Sequence, residues 1–125
     1  LSNNVIQAAL YVTASNEICG FKVTNHGEGT VCAAVSILCI NTVNSLEALT
    51  DCKLSYCYNR DGGYIECLLP GILNGADEPN AALLLRSLSL GLETVKETYG
   101  LNLRAEQKPH GYKLIQKKTF LTFTR

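Results

Sequence analysis

The 125-residue chain predicts an α+β fold: a two-layer domain with a small mixed or antiparallel sheet and two helices on one face, ordered β-β-α-β-β-α-β plus a C-terminal extension. Two segments repeat their apolar residues every three or four positions, as one face of an α-helix requires. Around them lie short runs rich in β-branched and aromatic residues, which suit strands. No linker splits the chain into parts that could each bury a core, so the elements belong to one packing unit.

Residues 5–12 (VIQAALYV) are strand formers, and after the polar stretch 13–17 a run over 18–24 alternates Ile18, Gly20 and Lys22 against Cys19, Phe21 and Val23. Together they read as a β-hairpin. The loop Asn25-His26-Gly27-Glu28-Gly29 follows, and Thr30 is placed to cap a helix that starts at Val31 and ends near Thr50. Its expected buried stripe is Val31, Val35, Leu38, Thr42, Leu46 and Leu49. Residues 54–59 and 64–69 alternate like strands around Arg60-Asp61-Gly62-Gly63, a hairpin-turn signal. Residues 70–80 read as a loop, with Pro79 suited to a first helical turn because its missing N–H has no partner there. The second helix runs from Ala81, carries apolar residues at 81, 85, 88, 92, 95 and 99, and stops at Gly100. Residues 101–105 form a further strand, 108–111 a turn and 112–124 an edge hairpin. The expected division is one domain over 1–106 and a basic extension over 107–125.

A chain of this size buries roughly two-thirds of the surface its unfolded form exposes, so it needs neither disulfides nor a metal to hold its core. The apolar run over 81–85 is far below the ~18 residues of a membrane span, and no signal-peptide pattern is visible. A cytoplasmic protein without membrane contact is the expectation. The net charge of zero hides a split: residues 1–103 hold 5 basic and 10 acidic side chains, and residues 104–125 hold 6 and 1. That basic end is either a contact for an anionic partner such as RNA or a solvated edge. The six cysteines, at 19, 32, 39, 52, 57 and 67, show no C-x-x-C spacing, so no metal or other cofactor is expected. Most read as reduced, small core residues, although Cys57 and Cys67 could face each other across their hairpin.

Chemistry concentrates in residues 25–36, NHGEGTVCAAVS, where a loop histidine, His26, precedes a cysteine, Cys32, in the first turn of a helix. Those are the residue types of a nucleophile and its base. First-turn N–H groups and the positive helix end favour thiolate over thiol, and an imidazolium nearby does the same. The same N–H groups can donate to a developing oxyanion, which suits acyl transfer from a peptide bond. Ser36, one turn beyond Cys32, shares its helix face and can hold the thiolate or bond its own helix backbone.

These residues resemble the ribosomal-processing cysteine protease family known as Prp. The resemblance rests on Asn25-His26-Gly27, the block Val31-Cys32-Ala33-Ala34-Val35-Ser36, Thr42-Val43-Asn44 with Leu46-Glu47, and Leu84-Leu85-Arg86-Ser87-Leu88 running on to Leu90-Gly91-Leu92. It spans about residues 5–106 with the element order agreeing throughout. It implies a homodimeric, cytoplasmic endopeptidase that removes the N-terminal extension of a large-subunit ribosomal protein, protein twenty-seven of that subunit. By position it implies Cys32 as nucleophile, His26 as general base and Ser36 in a supporting role. The chain departs from the family pattern in a short His26-to-Cys32 loop and in Gly29, which stands where an acidic residue is common. Two other readings compete: a non-catalytic ribosome-associated module that holds RNA with its basic tail, and a structural dimer joined through Leu84, Leu88 or Leu92.

Overall fold

Ile6–Val12 (β1) and Ile18–Thr24 (β2) pair antiparallel, as the alternation within them requires. The structure is a computed structural model and describes residues 6–12, 17–24, 29–59, 63–69, 77–99 and 103–109. After β2 come a 20-residue helix, Thr30–Leu49 (α1), and the antiparallel pair Ser55–Tyr58 (β3) and Tyr64–Leu68 (β4). Asp77–Tyr99 (α2) and Leu103–Pro109 (β5) complete the order. The five strands form one sheet, β3-β4-β2-β1-β5, mixed because β5 runs parallel to β1. A parallel pair needs a crossover, and α2 supplies part of it.

The register sorts side chains onto two faces. Leu10 stands opposite Phe21 and Ala8 opposite Val23, while Phe21 and Val23 stand opposite Cys67 and Ile65. These residues join one core with Val35, Cys39, Val43 and Leu46 of α1 and Ala81, Leu85, Leu88, Leu92 and Val95 of α2. Both helices therefore cover the same face of the sheet. Each large side chain buried there contributes about 1.5–3 kcal/mol.

The opposite face carries a polar cluster. Glu66, only 7% exposed, accepts from the Tyr11 hydroxyl at 3.3 Å and from the Tyr64 hydroxyl at 3.0 Å. Lys22, opposite Glu66 in the register, places Nζ 5.7 Å from the centre of the Tyr64 ring. A carboxylate taken out of water needs such partners. Beside them lies Gly20, where a Cβ would sit 2.6 Å from the Cys67 carbonyl oxygen, so only glycine lets β2 approach β4 this closely.

Burial pushes the Cys39 thiol up to about 12 from 9.0, and burial with the Glu66 charge pushes Tyr11 up to about 12 from 10.0. The folded protein thus holds these protons more tightly than the unfolded chain. Their stabilisation is complete below pH 9 and is lost as pH rises through about 12. Urea midpoints are expected to fall progressively above pH 9, and to fall less steeply in Cys39→Ala. Midpoints that stay flat over this range in the unmutated protein would contradict the coupling.

Several expectations are corrected. Thr30 is the first helical residue rather than the cap, a position taken by Gly29. The buried stripe of α1 is Val35, Cys39, Thr42, Val43 and Leu46; Val31 is half-buried and Leu49 lies exposed at the helix end. Leu38 is half-buried and lies against Gly91 of α2, because the second helix gives α1 a second contact face. β5 continues to Pro109, past both the expected strand end at 105 and the boundary at 106, and takes in Lys108 and Pro109 in place of a turn. Pairing with the full length of β1 accounts for this extension. The hairpin expected over 112–124 lies outside the described residues. Cys57 cannot meet Cys67: it stands opposite Glu66, while Tyr56 stands opposite Cys67, so the two thiols project from opposite faces. Leu88 and Leu92 belong to the core, and the exposed leucines of α2 are Leu83 and Leu90. Although no long apolar run stands out in the sequence, α1 is long and apolar enough to cross a membrane by length and composition. Here its apolar stripe packs against the sheet.

Candidate active site

The site begins at the residue that ends the loop and opens α1. Gly29 has φ 98° and ψ 173°, and its carbonyl accepts from the Ala33 N–H at 2.9 Å, closing the first turn. Gly29, the cap residue, makes no side-chain cap bond, and the first turn holds no acidic residue. The positive end of the helix is therefore not offset by a carboxylate from its own first turn.

Cys32 lies in that turn, half-buried, with a reduced thiol and its body packed against the edge of the core. Ser36 follows one turn later and is also half-buried, so α1 presents the two at the i, i+4 spacing of neighbours on one face. His26 lies outside the described residues. Covalent connection alone places it two residues after the end of β2 at Thr24 and three before Gly29.

Three of the other five thiols differ from Cys32. Burial pushes Cys19, Cys39 and Cys67 upward, so these three stay protonated at neutral pH. Cys39 and Cys67 are sealed in the core, whereas Cys32 is partly open at a helix start. Partial exposure in an electropositive setting is the environment of a reactive cysteine. Among the described residues, no group of three or more His, Cys, Asp or Glu side chains could hold a metal ion.

A thiol at a helix start can perform nucleophilic attack on a carbonyl once a base takes its proton, with backbone amides facing the developing oxyanion. Sequence reasoning located Cys32, Ser36 and the helix that carries them. It assigned the cap to Thr30 and so missed Gly29; the signal was present in the glycine immediately preceding Thr30. It also missed the Tyr11, Tyr64 and Glu66 cluster, because residues distant in sequence meet there only through the register.

Comparison with known proteins places this arrangement among related molecules. The model of the family described as Cysteine protease Prp matches residues 5–104. The ribosomal processing cysteine protease Prp of Bacillus subtilis is 29% identical over 106 residues, covering 80% of this chain and 95% of that protein. In solved structures, SMU.848 from Streptococcus mutans superposes with a TM-score of 0.74 at 32% identity, covering 86% of this chain and 97% of the other. The essential ribosomal processing protease Prp from S. aureus, solved with a covalently linked product peptide, gives 0.73 at 24% identity, covering 83% and 100%. That likeness shows a shared fold.

Proposed function

The chain belongs to the cysteine protease Prp family, and from that membership we propose a ribosomal-processing endopeptidase in which Cys32 is the nucleophile and His26 the general base. The observation that carries the assignment is the place of Cys32: the first turn of a helix whose cap residue is Gly29 and whose first turn holds no acid. Cys32 attacks the scissile carbonyl as thiolate, His26 having taken its proton. Amides at the start of α1 face the oxyanion of the tetrahedral intermediate. Collapse breaks the C–N bond, and the imidazolium returns its proton to the leaving amine. Water then attacks the thioester, with His26 again accepting a proton, and frees the acid and the thiol. Ser36 supports this centre by holding either the thiolate or a substrate group. The reaction as written needs no metal and no organic cofactor.

The substrate proposed is the N-terminal extension of a large-subunit ribosomal protein, protein twenty-seven of that subunit, processed in the cytoplasm by a homodimer. The Bacillus subtilis relative carries ribosomal processing in its name, which supports that class of substrate. Ile37, Leu83 and Leu90, exposed at 64%, 57% and 70% on the two helices, support a self-associating surface. The basic residues over 104–125 favour a second reading, a ribosome-associated module that contacts RNA.

The test is incubation with the N-terminally extended ribosomal protein, read by mass spectrometry. Removal of the extension is the expected result. Failure to cleave, together with RNA binding that weakens steeply with salt and disappears on deleting residues 110–125, would replace the protease by the RNA-binding module.

A further inference from the structure

Tyr56 and Tyr58 are the aromatic side chains of β3, the strand at one edge of the sheet. Pairing with β4 sets Tyr56 opposite Cys67 and Tyr58 opposite Ile65, so both rings stand on the face that the helices cover. Coverage falls off along the row: Val23 and Ile65 are 0% and 1% exposed, whereas Tyr58, next in line, is only half-buried. The helical layer therefore thins over β3 and leaves a ledge of two tyrosine rings packed against the core.

The helix beside this ledge is α1. The Cys67 thiol feels both Cys39 and Glu47 of α1, which sets that helix over β4, next to β3. α2 packs on β2 and β5, toward the other side of the sheet, and Leu38 of α1 lies against its Gly91. Ser36 and Ile40 stand two positions either side of Leu38, about 200° round the helix from it. They share the flank turned away from α2 with Cys32, one turn before Ser36, and all three are half-buried. Direction follows from the chain. α1 starts six residues after Thr24, which is level with Tyr64, and ends six residues before Ser55, which is level with Leu68. It thus runs antiparallel to β3, and Cys32 lies at the Tyr58 end of the ledge. Residues four apart on a helix are separated by about 6 Å and alternate strand residues by about 6.6 Å, so Cys32 and Ser36 keep step with Tyr58 and Tyr56.

We propose that Tyr58 and Tyr56 bind the polypeptide substrate beside Cys32, each ring contacting an apolar side chain of the substrate, from two residues that lie two positions apart on one side of the scissile bond. The inference rests on the reading of Cys32 as the nucleophile of an endopeptidase and assigns the surface that holds its substrate. An extended polypeptide rises about 3.3 Å per residue and turns alternate side chains to one face, which matches the spacing of the two rings. Tyrosine offers a broad apolar ring with few torsions to fix, hence contact area at low entropic cost. Bound substrate removes from water the ring area that the helices leave uncovered.

The probe is the N-terminally extended ribosomal protein twenty-seven, with glycine substituted singly at the residues flanking its cleavage site. Kinetics are measured for the unmutated enzyme, Tyr58→Phe, Tyr58→Val and Tyr56→Val. Valine keeps a strand former on β3, and circular dichroism with thermal melting checks each fold. Tyr58→Val is expected to raise KM about tenfold with kcat changed less than about threefold, and Tyr58→Phe to stay within about twofold of the unmutated enzyme. One glycine substitution that costs the unmutated enzyme about tenfold in kcat/KM is expected to cost Tyr58→Val almost nothing, because ring and side chain act as a pair. Tyr56→Val is expected to couple in the same way to the substrate position two residues away. Alkylation of Cys32 by iodoacetamide is expected to keep its rate in every variant, since so small a reagent does not need the ledge. A merely structural role would lower the melting temperature and slow all substrates alike. Additive losses at every substrate position, or a KM for Tyr58→Val within about twofold of the unmutated enzyme, would overturn the proposal. No cleavage by the unmutated enzyme would instead defeat the endopeptidase reading beneath it, and the inference with it.

Discussion

Replacing Cys32 by serine is expected to leave the fold and its melting temperature unchanged and to lower peptide cleavage by at least about a thousandfold. The substitution exchanges one atom at a half-buried position at the edge of the core. Stability therefore has little reason to change. Chemistry has every reason to: a hydroxyl ionises far less readily than a thiol, and a helix start able to stabilise thiolate cannot deprotonate an alcohol to a useful degree near neutral pH. The measurement is kcat/KM on the N-terminally extended ribosomal protein, with circular dichroism on the same samples. Retention of more than about a tenth of the activity in Cys32→Ser would move the nucleophile elsewhere. Cys39 and Cys67 offer poor replacements, since both are buried and held protonated.

The largest loss of stability is expected from Phe21→Ala, about 3–5 kcal/mol. Phe21 is 0% exposed at the middle of β2, between Leu10 of β1 and Cys67 of β4, on the face that both helices cover. Removing its ring leaves a cavity at the junction of the two layers that neighbouring side chains can fill only in part. Against a total stability of roughly 5–15 kcal/mol for a domain of this kind, such a loss approaches unfolding. Urea denaturation measures it directly, and a change below about 1 kcal/mol would show that the layers repack around the gap. β2 also leads into the segment that carries His26, so loosening it is expected to reduce activity in parallel.

Much of this architecture was legible in the chain. Ile18–Thr24 forms with the boundaries its alternation predicts, and Pro79 falls in the first turn of α2 as its missing N–H permits. The buried positions 81, 85, 88, 92 and 95 follow the helical spacing read from the sequence. The errors have a common origin in partners that local pattern does not reveal. α1 buries Cys39 and Val43 and turns Leu38 toward Gly91, because where its apolar arc falls depends on a second helix more than forty residues away. β5 runs to Pro109 because β1 offers a full-length partner, although the local turn residues suggested an earlier end. The thiols of Cys57 and Cys67 lie on opposite faces because pairing places Glu66, not Cys67, opposite Cys57.

At the candidate site, the sequence by itself determined the placement of the block that carries Cys32. A cysteine after a glycine loop and at the head of an apolar-periodic run lies in the first turn of a helix because the periodicity dictates where the helix begins. It also determined the α+β class, since periods of two and of 3.6 cannot be exchanged without exposing the apolar face. The tertiary structure decided which of two neighbouring candidates caps that helix: Gly29, at φ 98°, a conformation glycine adopts without steric cost, and not Thr30. It likewise decided that Glu66 lies buried against Tyr11 and Tyr64. Those residues are brought together by strand register, a long-range agreement between β1, β2 and β4 that no local pattern encodes.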